Sequence, residues 1–239
     1  MTEQFYFRQL LAGRDFARDD FLAKQMVNFA YLVGDRETGT CAVVDPAYGV
    51  GELVAIAGED GLAITDVLVT HYHPDHVGGS MMGHSIQGVA DLLALGVDAK
   101  VHVNAAEAFG VKRVTGIGDA DIVEHTSGDV VDVGAIPITL IHTPGHTPGS
   151  QCFHVDRKLV SGDTLFLEGC GRTDLPGGNA DELYDSLHTK LAIVPDDAWL
   201  YPGHLYSPEP HAPMGVVRER NYVFRLRTRE QWGIAFGDG

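Results

Sequence analysis

The chain has 239 residues, 44% of them hydrophobic, and a formal net charge of −16. That length and apolar content suit one domain spanning 1–239 with a full core, and no apolar run is long enough to cross a membrane. The acidity argues against a nucleic-acid partner, because phosphate binding needs clustered cations.

The N-terminal segment interleaves Arg8, Arg14 and Arg18 with acids and holds no continuous apolar stretch of the kind a secretory signal needs, so a cytoplasmic location is expected. Three cysteines, Cys41, Cys152 and Cys170, cannot build a disulfide framework and suit a reducing compartment. Cys41 and Cys152 read as small buried hydrophobes in strands. Residues 28–33 and 41–45 predict a hairpin around Arg36-Glu37-Thr38-Gly39. Its second strand ends at Asp45-Pro46, where the aspartate suits a turn. Residues 50–60 predict a helix, and residues 64–70 a strand that delivers the segment Thr70-His71-Tyr72-His73-Pro74-Asp75-His76.

Residues 80–122 read as a helical insert, with Ile86, Val89, Ala90, Leu93 and Ala94 at helical spacing within 83–95. This insert is either a lid or a helix packed on the core. Strands follow at 130–133, 136–142 and 151–155, with a further one at 158–161 leading to Asp163. Asn179 caps a helix whose Leu183, Leu187 and Leu191 form an apolar stripe that suits core packing. A short helical extension occupies 214–239, with one or two helices in 222–236. Its Arg218, Arg220, Arg225, Arg227 and Arg229 read as a solvated helix face, with a pocket for an anionic carboxylate as the alternative.

The segment 70–76 concentrates three imidazoles and a carboxylate, the nitrogen and oxygen ligands that zinc and non-haem iron accept. Burying such a cluster uncompensated is costly. One loop cannot close a site, so distant ligands must complete it. His146, Asp163 and His204 each stand at the end of an apolar segment and are the candidates. Of the twelve histidines five are assigned to metal. His84, His102, His125, His142, His154, His188 and His211 default to structural roles, with His84 the first exception to consider.

These residues resemble the metallo-β-lactamase superfamily, with its HxHxDH signature followed by His, Asp and His in order, over residues of about 28 to 204. The resemblance implies an α+β fold, an αββα sandwich of two mixed sheets flanked by helices with metals at one edge. It implies that His71, His73 and His146 hold one ion and Asp75, His76 and His204 the other, with Asp163 bridging. Asp75 carries the catalytic assignment as well. Asp45 resembles the family's carboxylate that orients a histidine ligand. Two divalent metal ions are expected, zinc first, with iron or a mixed iron and zinc pair as alternatives. A water between them would lose a proton near neutral pH and become the nucleophile.

Within the superfamily, Asp163 stands where true β-lactamases carry cysteine or serine, and His73 where diiron flavoproteins carry glutamate. The run Gly169-Cys170-Gly171-Arg172-Thr173-Asp174-Leu175-Pro176-Gly177-Gly178 resembles loops of small glyoxalase II-like hydrolases and of persulfide dioxygenases. The first implies hydrolysis of a small thioester, an acyl-thiol, as in hydroxyacylglutathione hydrolases. The second implies a single iron on His71, His146 and Asp163. A lactonase would use the same site. Full-length glyoxalase II enzymes carry glutathione contacts in a long helical C-terminal domain for which this chain has no room, so the thiol carrier stays open. Arg172, Tyr206 and Tyr222 are candidate substrate contacts, Arg172 reading first as a partner of Asp174 that shapes the loop. Homo-oligomerisation is left open.

Overall fold

The computed structural model describes residues 4–237. It opens with β1 (Phe5–Leu11), a strand the sequence reading does not expect, followed by α1 (Phe21–Met26). β2 (Phe29–Asp35) pairs antiparallel with β1 and with β3 (Thr40–Val44), which forms the expected hairpin. α2 (Val50–Glu59) crosses to β4 (Ala63–Leu68), parallel to β3. After α3 (Pro74–Val77), a small hairpin of β5 (Gly79–Met81) and β6 (His84–Ile86) precedes α4 (Val89–Ala94). β7 (Lys100–Asn104) then pairs parallel with β4, and beyond α5 (Ala108–Thr115), β8 (Ile122–His125) pairs parallel with β7.

The segment 80–122 therefore differs from a helical insert. It supplies β7 and leads into β8, the last two strands in the order β1-β2-β3-β4-β7-β8, and only the second half of 83–95 is helical. The physical reason lies in Lys100–Asn104, where Val101 and Val103 alternate with polar residues and are fully buried, a strand period only five residues long.

The second sheet runs β9 (Val130–Val133), β10 (Ile136–His142), β11 (Gln151–Val155), β12 (Lys158–Gly162), β13 (Trp199–Pro202) and β14 (Ala212–Pro213). All its pairs are antiparallel except β12 with β13. α6 (Ala180–Asp185), whose last turns widen at Ser186–Lys190, lies before β13; α7 (Met214–Arg220) and α8 (Arg229–Phe236) close the chain.

Side-chain alternation assigns the layers, since neighbouring strand residues face opposite sides of a sheet. In β2, Phe29, Tyr31 and Val33 enter the inter-sheet core, while Ala30 and Leu32 meet the helices outside. In the second sheet Ile138, Leu140, Phe153 and Val160 face inward, and Ile141, Cys152 and Leu159 join Leu183, Leu187 and Leu191 under the outer helices. The fold is the α+β, αββα sandwich expected, with both sheets mixed and helices on each outer face. Each fully buried aliphatic or aromatic side chain contributes roughly 1.5–3 kcal/mol. Among the described residues no helix is long and apolar enough to cross a membrane.

Candidate metal centre

The site lies where both sheets end. β4 runs out at Leu68, and three residues later His71 is 1% exposed. Pro74 opens α3 at its first helical position, where a missing N–H costs nothing and the ring presets φ. That single turn carries Asp75 and His76 into the interior. From the second sheet, the β10–β11 turn delivers His146, the end of β12 delivers Asp163, and the end of β13 delivers His204.

Three groups of side chains bring ligand atoms within 4.8 Å of one another. Asp45, His71 and His76 form one, in which Asp45 takes the outward nitrogen of His76; the two ligand groups that face the interior are His71, His73 and His146, and Asp75, His76 and His204. Asp163 reaches both. Its Oδ1 lies 3.4 Å from His76 Nε2, and its Oδ2 lies 3.3 Å from His204 Nε2 and 3.8 Å from His146 Nε2.

Hydrogen bonds outside the cluster decide which ring nitrogen faces in. Nδ1 of His76 donates to Asp45 at 2.9 Å, Nδ1 of His146 to the Arg172 carbonyl at 2.8 Å, and Nδ1 of His204 to the Met26 carbonyl at 2.7 Å. Thr70 spends its hydroxyl proton on Asp45 at 2.6 Å and accepts from Nδ1 of His71 at 3.0 Å. In each neutral ring the inward Nε2 is left with a lone pair. His71 Nε2 and Asp163 Oδ1 are buried with no hydrogen-bond partner, although such atoms are normally satisfied. His76 Nε2 and His204 Nε2 stand 3.2 Å apart. Convergent lone pairs and orphaned buried acceptors are the donor set a divalent cation requires, so the residues fit a metal centre.

The electrostatics divide the histidines by their neighbours. Burial holds His71 well below its ordinary value, reinforced by the neighbouring imidazoles, and burial with His146 pushes His73 down to about 4. Burial opposes charge on His76 too, but Asp163, Asp75 and Asp45 outweigh it and push it up to about 10. Asp163 stays well below the usual carboxylate range against burial because His204 and His76 face it.

Sequence reasoning missed several residues that hold this arrangement. Asn28 donates from Nδ2 to the Asp75 carbonyl at 3.0 Å and to its Oδ2 at 3.1 Å. Glu107, 1% exposed, accepts from the Tyr72 amide, the Thr147 hydroxyl and the Gly149 amide, each at 2.7 Å. It ties the His71–His73 loop to the His146 loop. Burial pushes Glu107 up to about 7 against these three donors. Neither residue sits in a local pattern that flags it.

A cavity of about 400 Å³ opens onto the centre. Arg172 and Tyr206 line it, and Tyr206 stacks on the His204 ring at 4.6 Å. Arg172 is also clamped by Asp174, at 2.8 and 2.7 Å, as the loop-shaping reading anticipates. Tyr222 is not among the residues lining this cavity; half exposed, it stacks on Phe236 in the C-terminal helices. His84 is exposed in β6 and belongs to neither ligand group. Asp45, with φ of 50°, both turns the chain and orients His76. Arg218 and Arg229 pair with Asp196, Asp181 and Asp185, as on a solvated face.

The sequence model of the metallo-beta-lactamase superfamily matches residues 24–204, a span that contains every residue of the two ligand groups. The chain belongs to the metallo-β-lactamase superfamily. It is 39% identical over 205 residues to a hydroxyacylglutathione hydrolase of Rhodopseudomonas palustris, covering 85% of this chain and 72% of that protein. It is 26% identical over 209 residues to the probable polyketide biosynthesis zinc-dependent hydrolase BaeB of Bacillus velezensis, covering 86% and 85% of the two chains. The crystal structure of ETHE1 from Myxococcus xanthus superposes with a TM-score of 0.75 at 28% identity, over 95% of this chain and 88% of that one. Kinship and donor set together make this superfamily member a metallo-hydrolase of the glyoxalase II-like type that binds divalent metal.

Proposed function

We propose that the protein hydrolyses small thioesters at a pair of divalent metal ions, zinc in the leading reading. His71, His73 and His146 would hold one, Asp75, His76 and His204 the other, and Asp163 would lie between them. The observation that carries this reading is Asp163, whose two oxygens reach histidines of both groups. When bound, the metals supply the Lewis acidity that polarises a carbonyl and makes water a nucleophile at neutral pH.

The chain's own residues hold the geometry. Asp45 accepts from the outward nitrogen of His76, which fixes the ring so that its inward nitrogen is the one that would bind metal in place of a proton. Asn28 orients Asp75, the residue assigned to catalysis, whose Oδ2 faces His76 and His204 at 3.5 Å. Tyr206 and Phe166 cover His204 from solvent. In the reaction the acyl carbon gains a bond to the water oxygen, the carbon–sulfur bond breaks, and the sulfur leaves with its electron pair. Carboxylate and thiol result, one proton passing to solvent. A thiol pKa of about 8.5 makes the leaving group good enough to need no strong acid.

The glyoxalase II-like kinship supports this reading, as does the zinc-dependent relative. A one-iron persulfide dioxygenase is the second reading, favoured by the run Gly169-Cys170-Gly171-Arg172-Thr173-Asp174 and by the approach of Asp163 to His146. Elemental mass spectrometry on protein expressed with iron and zinc available separates them. Two metals per chain with thioester turnover is expected. One iron per chain, with oxygen consumed on a persulfide, would overturn the hydrolase in favour of the dioxygenase.

A further inference from the structure

The chain contains 17 lysines and arginines, and among the described residues Arg172 alone of these lines the cavity above the metal centre. Its guanidinium is held by both oxygens of Asp174 in its own loop, an exposed pair in which a neighbouring carboxylate competes with any anion for it. Beyond the candidate ligands, the wall is mainly apolar or aromatic, with Met26, Met81, Met82, Phe166, Leu175 and Tyr206 among its residues. Met81 and Met82 come from the β5–β6 hairpin and its tip, and Met82 is 83% exposed.

From this wall, and resting on the thioesterase reading above, we infer that the site takes an apolar acyl chain on a thiol arm that carries no carboxylates. A glutathione arm bears two carboxylates, which need cations or several donors to replace their hydration. This wall offers one cation, already paired. The protein's net charge of −16 further disfavours an anionic arm. Methionine side chains, unbranched and polarisable, instead adapt to a flexible hydrocarbon. About 400 Å³ is toward the lower end of small-molecule sites and suits a short chain.

The test is a panel of four substrates on metal-loaded protein, lactoyl or hexanoyl on glutathione or on N-acetylcysteamine, with acetyl- and butyryl-N-acetylcysteamine added for chain length. The hexanoyl ester of N-acetylcysteamine is expected to exceed S-lactoylglutathione in kcat/KM by at least about tenfold. Each buried methylene should add a factor of up to about four, and Met82→Ser, on an exposed side chain, should flatten that gradient at unchanged metal content. A preference for glutathione at a fixed acyl group, or a flat chain-length series in the parent protein, overturns the inference while leaving thioester hydrolysis standing. Calorimetric binding of the amide analogue N-(2-acetamidoethyl)hexanamide gives a readout independent of turnover. If that amide binds more tightly than its acetyl homologue while no thioester is cleaved, the pocket assignment holds and the hydrolase reading falls; if neither amide binds and no thioester is cleaved, both fall.

Discussion

His73 Nδ1 and His146 Nε2 face each other 3.0 Å apart, and the other ring nitrogen of His146 already donates to the Arg172 carbonyl. With His73 held neutral by burial, a cation or a shared proton must sit between two such nitrogens. Chelation should therefore destabilise the fold. At a metal concentration 100 times the dissociation constant, one binding event adds about 2.7 kcal/mol, which for a chain of this size raises Tm by about 5–10 °C. Scanning calorimetry on EDTA-treated and zinc-reloaded protein checks this, and identical Tm values would rule out a metal at this cluster.

Asp45→Asn keeps an acceptor for the Thr70 amide but takes away the charge facing His76 Nδ1. The expected loss is about 10- to 100-fold in metal affinity or in activity, the usual effect of removing a histidine-orienting carboxylate. Competition with a chromogenic chelator measures the affinity. Unchanged affinity and rate would show that Asp45 serves only the turn.

Gly203 stands between Gly162 and the Asp163 carboxylate, so a Cβ there would meet Asp163 Oδ1 at 2.3 Å and the Gly162 carbonyl carbon at 3.0 Å. Gly203→Ala must displace the one carboxylate shared by both ligand groups. We expect metal stoichiometry to fall and stability to drop by about 1–3 kcal/mol, the ordinary cost of overpacking. Elemental analysis together with urea unfolding gives both numbers, and full stoichiometry would mean that Asp163 need not sit where the structure has it.

Glu107→Ala orphans three buried donors and should cost roughly 2–5 kcal/mol along with activity, since the two ligand loops lose their common anchor. Glu107→Gln retains an oxygen but sets an amide group against a donor, for about 1–3 kcal/mol.

The pH dependence of Glu107 has a definite sign. Its folded pKa of about 7 lies above the unfolded value of about 4.5, so its stabilisation is complete below the latter and is lost as pH rises through 7. The advantage of the parent protein over Glu107→Gln should shrink between pH 5 and 8, by an amount on the order of 3 kcal/mol at most. Urea titrations at several pH values follow it. A constant difference would mean that Glu107 is ionised throughout, with its three donors outweighing burial.

The sequence by itself determined which side chains can offer ligand atoms. His71, His73, Asp75 and His76 lie within six residues, so covalent connectivity guarantees their proximity in any fold. His146, Asp163 and His204 were legible because each follows an apolar strand, and strand ends gather at one sheet edge. The hairpin at Arg36-Glu37-Thr38-Gly39 and the stripe Leu183, Leu187 and Leu191 were equally local signals. Tertiary structure decided the rest, because it depends on which distant segments meet. Only packing shows that Glu107 spans two loops, that Asn28 braces Asp75, and that residues 100–104 form an interior strand. Only packing separates Arg172 and Tyr206 at the cavity from Tyr222 against Phe236. The tautomers of His76, His146 and His204, and with them the direction of their inward lone pairs, are set by acceptors as remote in sequence as Met26 is from His204, and no local pattern encodes that pairing.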